Sequence, residues 1–452
     1  MLLFGLALFI LLAVKNYYLF RPLSLIVSFI PLIWSLWLYV LYDGSGNTFQ
    51  CLTYVPYLHL SFGIDAVGLP LVMLSAGLFP ICIQLMRTRR GILVFLLLEY
   101  LVLATLLVLD TLGFYILFES SLILFFLVIC RDSDYSYINA AYRLVLFTVA
   151  GSLPYLLGVF LLYNMYGSTN LLTLINSSNP LLNSDQQLLI GSLFFFMFAI
   201  KIPLVPLHMW LPEAHVAAPT AGSVVLAGIT IKLGGLGFIR YIIPIFPVFV
   251  VKVFPLIAVT CLISFLFSTL TTLRQIDLKK IVAYSSIAHM SLVTLAIFSL
   301  SEHSISSSTF MMVAHGLVSP GLFLLVGFLY ERSHTKFLPY LTGLGSHMPI
   351  YATLLFVLTL ANLSFPLFPN FIAEVLCLIS VFAVHSLYSY VFCISQVLGA
   401  IYGFWTFNRV VHGYNSSTFN IHASVVDLSR REFAILLPVL IGVFWLGIKP
   451  MA

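Results

Sequence analysis

Long apolar segments follow one another along the whole of this 452-residue chain. A helix needs about 20 consecutive apolar residues to cross the hydrocarbon core of a bilayer. Charges and turn residues divide the sequence into fourteen segments near that length. The predicted spans are 1–14, 22–42, 60–86, 91–109, 111–130, 142–166, 188–211, 220–240, 248–272, 280–299, 306–330, 350–383, 387–411 and 433–449. We therefore predict an all-α, polytopic membrane protein with about 14 transmembrane helices.

The composition supports this class. Apolar residues make up 61% of the chain and charged residues only 8%, with a mean hydropathy of +1.11, whereas a soluble domain carries about 25% charged residues. The 20 basic and 15 acidic residues are dispersed and form no basic face, which excludes a nucleic-acid-binding protein. The six cysteines form no C-x-x-C motif or tight cluster, so no metal or iron–sulfur site is predicted.

The basic residues predict how the chain crosses the membrane. Fifteen of the twenty lie in loops after odd-numbered spans, and Lys201 and Lys232 lie within spans. The other three, Arg240, Lys252 and Lys449, are assigned to loops after even-numbered spans or to the C-terminus. Loops rich in Lys and Arg concentrate on the cytoplasmic side of a membrane. Both termini are therefore predicted on the side opposite the basic loops. The N-terminus, MLLFGLALFILLAV, lacks the pattern of a targeting peptide and is predicted to be a retained first helix.

The run FFMFAIKIPLVPLHMW places Lys201 in span 7. An ammonium group at a helix centre costs at least about 2.5–3.5 kcal/mol in a bilayer. Glu119, in GFYILFESS of span 5, could meet Lys201 inside the bundle and share that cost. A lysine balanced by a carboxylate can release its proton when the partner moves away. A purely structural ion pair is the alternative.

Three further charges have competing interpretations. Lys232, in AGITIKLGGLGF of span 8, follows Lys201 by 31 residues, and a proton passing between two buried lysines would relieve their repulsion. The alternative is a lysine that extends to the membrane surface. Glu99, in LLLEYLVL, is either a polar contact within the bundle or a residue of a proton path, and Asp65 is either interfacial or a helix-start acid.

Prolines interrupt two spans beside a charge. Span 7 is interrupted just past Lys201 and span 12 just before Glu374. The prolines are Pro203, Pro206 and Pro212 in span 7 and Pro366 and Pro369 in span 12. Broken backbone at membrane depth is tolerated only inside protein or beside water, so each break predicts a polar interior.

The two broken spans lie five helices apart, so equivalent helices would run in opposite directions, as in an inverted repeat. The spacing agrees, because 82 residues separate Glu119 from Lys201 and 85 separate His289 from Glu374. We predict two inverted five-helix repeats with discontinuous helices 7 and 12. The predicted divisions are helices 1–3 in 1–90, helices 4–8 in 91–240, helices 9–13 in 241–411, and a loop with helix 14 in 412–452.

His289, in SSIAHMS, and His315, in MMVAHGLVSP, lie within apolar spans. An imidazole can pass a proton in either direction near neutral pH, although a histidine in an apolar helix can also be simply hydrogen-bonded. The sequence contains no P-loop and no G-x-G-x-x-G motif, so no nucleotide site is predicted.

Four segments carry a specific resemblance: KIPLVPLHMWLPEAHVAAPTAGSVVLAGITIKLGG, LRQIDLKKIVAYSSIAHMS, AHGLVSPGLFLLVGFLYERSHT and NFIAEVL. Together they resemble the antiporter-like membrane subunits of respiratory NADH:ubiquinone oxidoreductase (complex I), a family related to subunits of multi-component cation/proton antiporters. The resemblance spans about 60 to 411.

By position, the resemblance implies that Glu119 is the helix-5 glutamate of this family, Lys201 its broken-helix lysine, Lys232 its central lysine and Glu374 the acid at the end of its axis. It places His289 and His315 at polar positions of that axis. The resemblance also implies that an acid at 374 distinguishes this chain from chains 2 and 5 of the same complex, which are similar to it but have a lysine at that position.

The resemblance also implies an activity and a location. It implies proton translocation as a subunit of an H⁺-translocating NADH:ubiquinone reductase, with no cofactor and no redox catalysis in this chain. NADH, FMN, iron–sulfur clusters and ubiquinone would be bound by other subunits. The implied partners are other membrane-arm subunits, including chains 2 and 5, and lipids such as cardiolipin. The implied location is the mitochondrial inner membrane, with both termini in the intermembrane space.

Other interpretations of the sequence stay open. A subunit of a cation/proton antiporter would share the lysines and the helix pattern, and sodium-dependent transport would identify it. A purely architectural membrane subunit would tolerate neutralisation of every intramembrane charge. A bacterial plasma membrane is the alternative location.

Overall fold

The computed structural model describes residues 2–13, 17–44, 49–57, 59–130, 135–176, 182–413 and 426–450. Within these residues, eleven helices are long and apolar enough to cross a membrane. The predicted class, a helical multi-pass membrane protein, is confirmed. Residues 414–425, part of the predicted C-terminal division, lie outside the described residues.

The N-terminal half consists of helices with one small hairpin. Its elements are α1 (Leu2–Ala13), α2 (Tyr17–Leu41), β1 (Gln50–Val55), β2 (Leu60–Ile64), α3 (Gly68–Leu85), α4 (Arg89–Leu107), α5 (Thr111–Ile129), α6 (Tyr135–Tyr166), α7 (Leu171–Asn176), α8 (Ser184–Lys201), α9 (Trp210–Ala217) and α10 (Thr220–Val225).

A nearly continuous apolar helical stretch follows and leads into the C-terminal half. Its elements are π1 (Leu226–Thr230), α11 (Lys232–Gly237), π2 (Phe238–Ile242), α12 (Ile243–Ile245), α13 (Pro247–Arg274), α14 (Leu278–Phe298), α15 (Ser304–Ser333), α16 (Pro349–Asn362), α17 (Pro369–Phe382), α18 (Ser386–Val411) and α19 (Arg430–Ile448). Here π1 and π2 are π-helical segments.

Each of the fourteen predicted spans overlaps helical structure. The first is the twelve-residue α1, and the seventh and twelfth are each divided into two shorter helices. None of these helices is among the eleven that meet the length and hydropathy of a membrane span. The count of fourteen, the repeats and the four predicted divisions therefore stay predictions.

The predicted span 60–86 is wrong at its beginning. Residues Leu60–Ile64 form β2, which pairs antiparallel with β1 through Thr53 and Phe62. Aromatic and branched side chains at alternating burial suit a strand, and hydropathy alone does not distinguish such a strand from a helix start.

Two basic residues were also wrongly assigned to loops. Arg240 lies in π2 and is buried, and Lys252 lies near the start of α13 and is exposed. A single charge in an apolar segment suggests the end of a span, but a helix can continue past a charged residue because its backbone hydrogen bonds do not depend on the side chain.

Both predicted helix interruptions are present. The first helix ends at Lys201, and helical structure resumes at Trp210. The second ends at Asn362 and resumes at Pro369, with Ser364 and Leu367 in left-handed backbone conformations between them. Proline lacks the amide proton that a continuing helix would use, which explains why each helix ends where prolines follow.

By its internal contacts the chain divides into two compact units. Unit 1 comprises Met1–Ile202 and Ile229–Phe254, and unit 2 comprises Pro203–Gly228 and Pro255–Ala452. The core of unit 1 contains a cluster of aromatic rings, including Phe114, Tyr155 and Phe198. In unit 2, α14 and α15 are each 94% buried over their most apolar stretch. Such burial of a helix on all sides is typical of the interior of a bundle.

Candidate functional site

Lys201 is the last residue of α8 and lies inside unit 1. It is 3% exposed, and its Nζ lies 4.3 Å from the centroid of the Phe118 ring. An ammonium over an aromatic face gains about 2 kcal/mol or more when it is desolvated. The Phe118 ring therefore provides part of the stabilisation that a buried lysine needs.

Glu119 follows Phe118 in α5 and is half-buried. Its charge interacts with that of Lys201, and the Ser152 side chain lies beside it. Among the described residues, no ion pair within 4.0 Å joins the two, and Glu119 Oε1 has no hydrogen-bond partner. The structure brings the predicted pair into electrostatic range without direct contact.

Lys232 is the first residue of α11 and is 1% exposed. The π-helical segments π1 and π2 lie on either side of α11, and π-helical turns are rare and frequent at functional sites. A methyl group at Gly234 would lie 2.6 Å from Ile202 Cγ1 and 3.3 Å from Lys201 Cβ. The glycine thus lets the helix that carries Lys232 cross the end of α8 closely.

Glu99, in α4, is fully buried, and neither carboxyl oxygen has a hydrogen-bond partner among the described atoms. Its charge interacts with the buried Cys82. The predicted polar contact within the bundle is therefore not a hydrogen bond. A role in proton transfer stays a prediction for Glu99.

Asp65 is both a helix-start acid and half of an ion pair. Its Oδ1 accepts a hydrogen bond from the Gly68 amide at 3.0 Å, and its two oxygens accept from Arg240 at 2.5 and 3.3 Å. Arg240 also donates to the carbonyls of Leu106 and Val108 at the end of α4, which have no partner within their own helix. Sequence analysis missed this pair because the two residues are 175 positions apart.

Unit 2 contains the second predicted cluster. Glu374 lies in the first half of α17 and is 5% exposed, and its Oε1 lies 3.0 Å from His289 Nδ1. The distance is that of an ion pair, although neither atom makes a regular hydrogen bond among the described residues. The rings of His289 and His315 lie 5.2 Å apart, centroid to centroid. Three of the predicted residues therefore lie together.

Two lysines hold the short helix α9, which follows the first helix break. Lys279 Nζ donates to the Ala218 carbonyl and Lys336 Nζ to the Val216 carbonyl, each at 2.8 Å. Cations suit a helix C-terminus because its last carbonyls lack partners. Burial lowers the pKa of Lys336, which lies in a loop, and Asp277 opposes this effect. Burial raises the pKa of Asp277. These contacts were not predicted, since nothing local links the residues.

Within the described ranges, no group of three or more His, Cys, Asp or Glu side chains could hold a metal ion. Two buried polar clusters result, one in each unit, and each includes residues beside a helix break. Groups of this kind can gain and lose protons. The roles of the seven predicted site residues, Glu99, Glu119, Lys201, Lys232, His289, His315 and Glu374, stay predictions.

Comparison with known proteins gives a consistent result. The sequence profile of the family described as NADH:quinone oxidoreductase/Mrp antiporter, transmembrane, matches residues 109–399. NADH-ubiquinone oxidoreductase chain 4 of Chlamydomonas reinhardtii is 57% identical over 97% of this chain and 96% of its own length. The protein of the same name from Arabidopsis thaliana is 43% identical over 96% of this chain and 89% of its own length.

A solved structure agrees with these relatives. A chain in respiratory complex I from Thermus thermophilus with bound NADH superimposes with a TM-score of 0.89 at 26% identity, over 99% of this chain and 94% of that chain. The two clusters, the broken helices and these similarities lead to one assignment. The chain belongs to the NADH:quinone oxidoreductase/Mrp antiporter family of membrane subunits, together with the relatives named NADH-ubiquinone oxidoreductase chain 4.

Proposed function

We propose that this chain is a proton-translocating subunit of the membrane arm of a respiratory NADH:ubiquinone oxidoreductase, of the chain 4 type. The observation that carries the proposal is the buried Lys201, at a helix end, with an aromatic ring at 4.3 Å and a carboxylate in electrostatic range. An ionisable residue at membrane depth is by default a functional candidate. The family to which the chain belongs indicates the reaction in which Lys201 would take part, proton translocation coupled to NADH:ubiquinone oxidoreduction.

In unit 1, the proton occupancy of Lys201 depends on Glu119. When the carboxylate is near, it favours the ammonium. When the carboxylate moves away or gains a proton, the buried ammonium loses that stabilisation and can release its proton. Lys232, whose helix crosses the end of α8 at Gly234, is proposed as the next acceptor.

In unit 2, His289 and Glu374 are proposed to share a proton, with His315 beside them. An imidazole and a carboxylate 3.0 Å apart can exchange a proton with little movement of either group. Glu374 would then be the acidic end of the relay that the sequence predicted.

The remaining parts of the proposal concern the assembly. NADH, FMN, iron–sulfur clusters and ubiquinone are proposed to bind other subunits, so that this chain holds no cofactor. The proposed partners are other membrane-arm subunits, among them the antiporter-like chains 2 and 5, and membrane lipids including cardiolipin. The proposed location is the mitochondrial inner membrane, with both termini in the intermembrane space, which protease protection of sealed mitochondria would test.

The test uses the assembled complex in proteoliposomes, with NADH oxidation and proton uptake measured together. We expect Lys201→Ala and Glu119→Gln each to reduce coupled proton translocation by about a hundredfold, the scale of a lost acid–base group. Lys201→Arg is the sharper variant, because arginine keeps the charge but does not release a proton. We expect it to be as inactive as Lys201→Ala.

Matched controls separate a proton carrier from a structural charge. Lys252→Ala and Glu302→Gln remove the same groups from exposed positions, and we expect parental rates from both. Normal pumping by Lys201→Arg in a fully assembled complex would overturn the proposal, as would the loss of assembly alone in every variant.

The family also contains cation/proton antiporter subunits, so a second candidate function is exchange of a metal cation for protons. Sodium-dependent proton movement in the purified assembly, without NADH, would favour it. We expect proton translocation that requires NADH and ubiquinone and does not change with sodium.

A further inference from the structure

The short helix α9, in unit 2, has non-helical backbone on both sides. The first helix break precedes it, and Ala218 and Pro219 separate it from α10. An isolated helix shorter than about 12–15 residues is marginally stable in water, and α9 has only eight residues. Contacts with neighbouring elements therefore have to fix its position.

The helices that carry the second cluster pack against α9. The His215 ring is fully buried and stacks on Phe323 of α15, with the ring centroids 4.4 Å apart and the planes 9° from parallel. Phe323 follows His315 by eight residues, about 12 Å along the axis of the same helix. α9 also packs against α14, which carries His289. Because close-packed interiors transmit strain, a movement of α9 would reach the helices of both relay histidines.

Three hydrogen bonds from outside the helix hold the C-terminal end of α9. Lys279 Nζ donates to the Ala218 carbonyl and Lys336 Nζ to the Val216 carbonyl, each at 2.8 Å. Ser223 Oγ donates to the His215 carbonyl at 3.1 Å. The last carbonyls of a helix have no partner within it, and hydrogen bonds from charged donors are about twice as strong as neutral ones. The two lysines are thus the stronger ties.

The two lysines belong to one rigid frame. The Leu278 amide donates to the Lys336 carbonyl at 3.0 Å, and the Leu338 amide donates to the Ile276 carbonyl at 2.8 Å. These bonds fasten the loop of Lys336 to the residues at the start of α14, where Lys279 lies. The two ammonium groups therefore hold α9 from a common support.

The neighbours of the two ammonium groups favour their charged forms and oppose the effect of burial. The C-terminal end of a helix carries a partial negative charge. The Asp277 carboxylate lies at the start of α14, where its Oδ1 accepts a hydrogen bond from the Lys279 amide at 3.0 Å. Lys336 Nζ also lies 5.1 Å from the centroid of the Tyr330 ring. This environment suits lysines that hold a helix end by their charge.

We propose that Lys279 and Lys336 are positioning residues for proton translocation. As charged donors, they keep α9 in place against α14 and α15, and they thereby keep the helices of His289 and His315 in their working arrangement. The proposal rests on the proposed function, because it assigns a support to the same relay. It differs from the role proposed for Lys201, whose proton has to leave.

The first experiment removes each tie in the assembled complex and measures NADH-driven proton translocation. Lys279→Met keeps a long side chain without the donor, and we expect the rate to fall by about tenfold, because displaced groups transfer protons more slowly. Lys336 is half-buried, so water can replace part of its bond, and we expect Lys336→Met to fall about threefold. Lys280→Met is the matched control. Lys280 is the next residue, is also half-buried and makes no side-chain hydrogen bond to α9 among the described residues. We expect its rate to be parental.

Arginine at each position separates positioning from proton transfer. A guanidinium donates hydrogen bonds and keeps its charge, but it does not release a proton. We therefore expect Lys279→Arg and Lys336→Arg to recover at least half of the parental rate, whereas Lys201→Arg should be inactive. A Lys279→Arg complex that assembles fully but is as slow as Lys279→Met would mean that Lys279 transfers a proton itself, which would overturn the positioning role.

A second measurement follows α9 directly, by amide hydrogen exchange and mass spectrometry of the assembled complex. We expect the amides of residues 210–218 to exchange about tenfold faster in Lys279→Met than in the parent, because a helix that has lost a tie opens more often. Lys279→Arg and Lys280→Met should exchange as the parent does, and α16 should be unchanged in all variants. If Lys279→Met assembles poorly, Lys336→Met replaces it with the same direction of change.

The outcomes separate the two proposals. Slow methionine variants with faster exchange in α9, together with recovery by arginine, support the positioning role. Parental translocation by both methionine variants, or unchanged exchange in α9, would overturn it, while inactive Lys201→Arg would leave the proposed function standing. If Lys201→Arg pumps normally, the proposed function fails, and the exchange measurement alone then decides whether the two lysines hold α9.

Discussion

The two units hold their charges at membrane depth in different ways. In unit 1, Lys201 is covered by the Phe118 ring, and its carboxylate partner Glu119 interacts without contact. In unit 2, His289 and Glu374 approach to 3.0 Å. A buried ammonium without a contacting anion is sensitive to small movements, since Coulomb energies in low dielectric change steeply with distance. Unit 1 is thus suited to respond to geometry, and unit 2 to pass a proton with only a small movement of the two groups.

The largest effect on stability is expected from the ion pairs between an arginine and a carboxylate. Among the described residues, each unit contains one such pair, and the two differ in burial. Arg240 and Asp65 in unit 1 are 1% and 18% exposed, and Arg332 and Glu432 in unit 2 are 17% and 15% exposed. Arg240→Met should lower the stability of the assembled complex by about 3–5 kcal/mol, because it leaves the Asp65 carboxylate without its ion-pair partner and the Leu106 carbonyl without the Arg240 donor. Arg332→Met should cost less, about 1 kcal/mol, because the Arg332 side chain is itself 17% exposed, whereas that of Arg240 is 1% exposed, and solvent screens its attraction to Glu432.

Thermal inactivation of the two variants in the same detergent would measure this difference. Asp65→Asn is the companion to Arg240→Met, because an amide keeps an acceptor for the guanidinium, and it should lie between Arg240→Met and the parent. Equal losses from Arg240→Met and Arg332→Met would contradict the view that unit 1 contains the more deeply buried pair.

The sequence predicted the features that a local pattern determines. Hydropathy located the helices, and prolines beside Lys201 and before Glu374 located both interruptions, because a missing amide proton ends a helix wherever it falls.

What the sequence missed depends on long-range contacts. A charge in an apolar segment suggests the end of a membrane span, so the sequence predicts Arg240 in a loop. Its burial is explained only by Asp65, which lies 175 residues away in the chain. The sequence allows Glu119 to meet Lys201, but it does not reveal that the Phe118 ring covers the ammonium.

A smaller effect is expected where the helix of Lys232 crosses the end of α8. Gly234→Ala places a methyl group 2.6 Å from Ile202 Cγ1 and 3.3 Å from Ile202 N, so the residue after Lys201 must shift. Overpacking of this kind costs about 1–3 kcal/mol, and alanine returns part of it through its helix propensity of up to about 1 kcal/mol. We expect a net loss of about 1–2 kcal/mol together with slower proton translocation.

Gly77→Ala is the control for this change, because it lies in helix α3 of the same unit with no atom within 4 Å of the added methyl group. It should be neutral or slightly stabilising. A stable, fully active Gly234→Ala would show that the position of Ile202 does not affect Lys201, and unit 1 would then be less sensitive to geometry than we infer.

The smallest effect is expected at the contact in unit 2. His289→Gln keeps a side chain that can hydrogen-bond Glu374 but cannot carry a proton as imidazole does. Because the His315 ring lies 5.2 Å from that of His289 and could take over its proton, we expect translocation to fall only about threefold, less than 1 kcal/mol in the barrier. His347→Gln, at an exposed position, should retain the parental rate. The decisive comparison is with Lys201→Arg: an equally severe loss in His289→Gln would mean that unit 2 has no alternative route, whereas a parental rate would remove His289 from the relay.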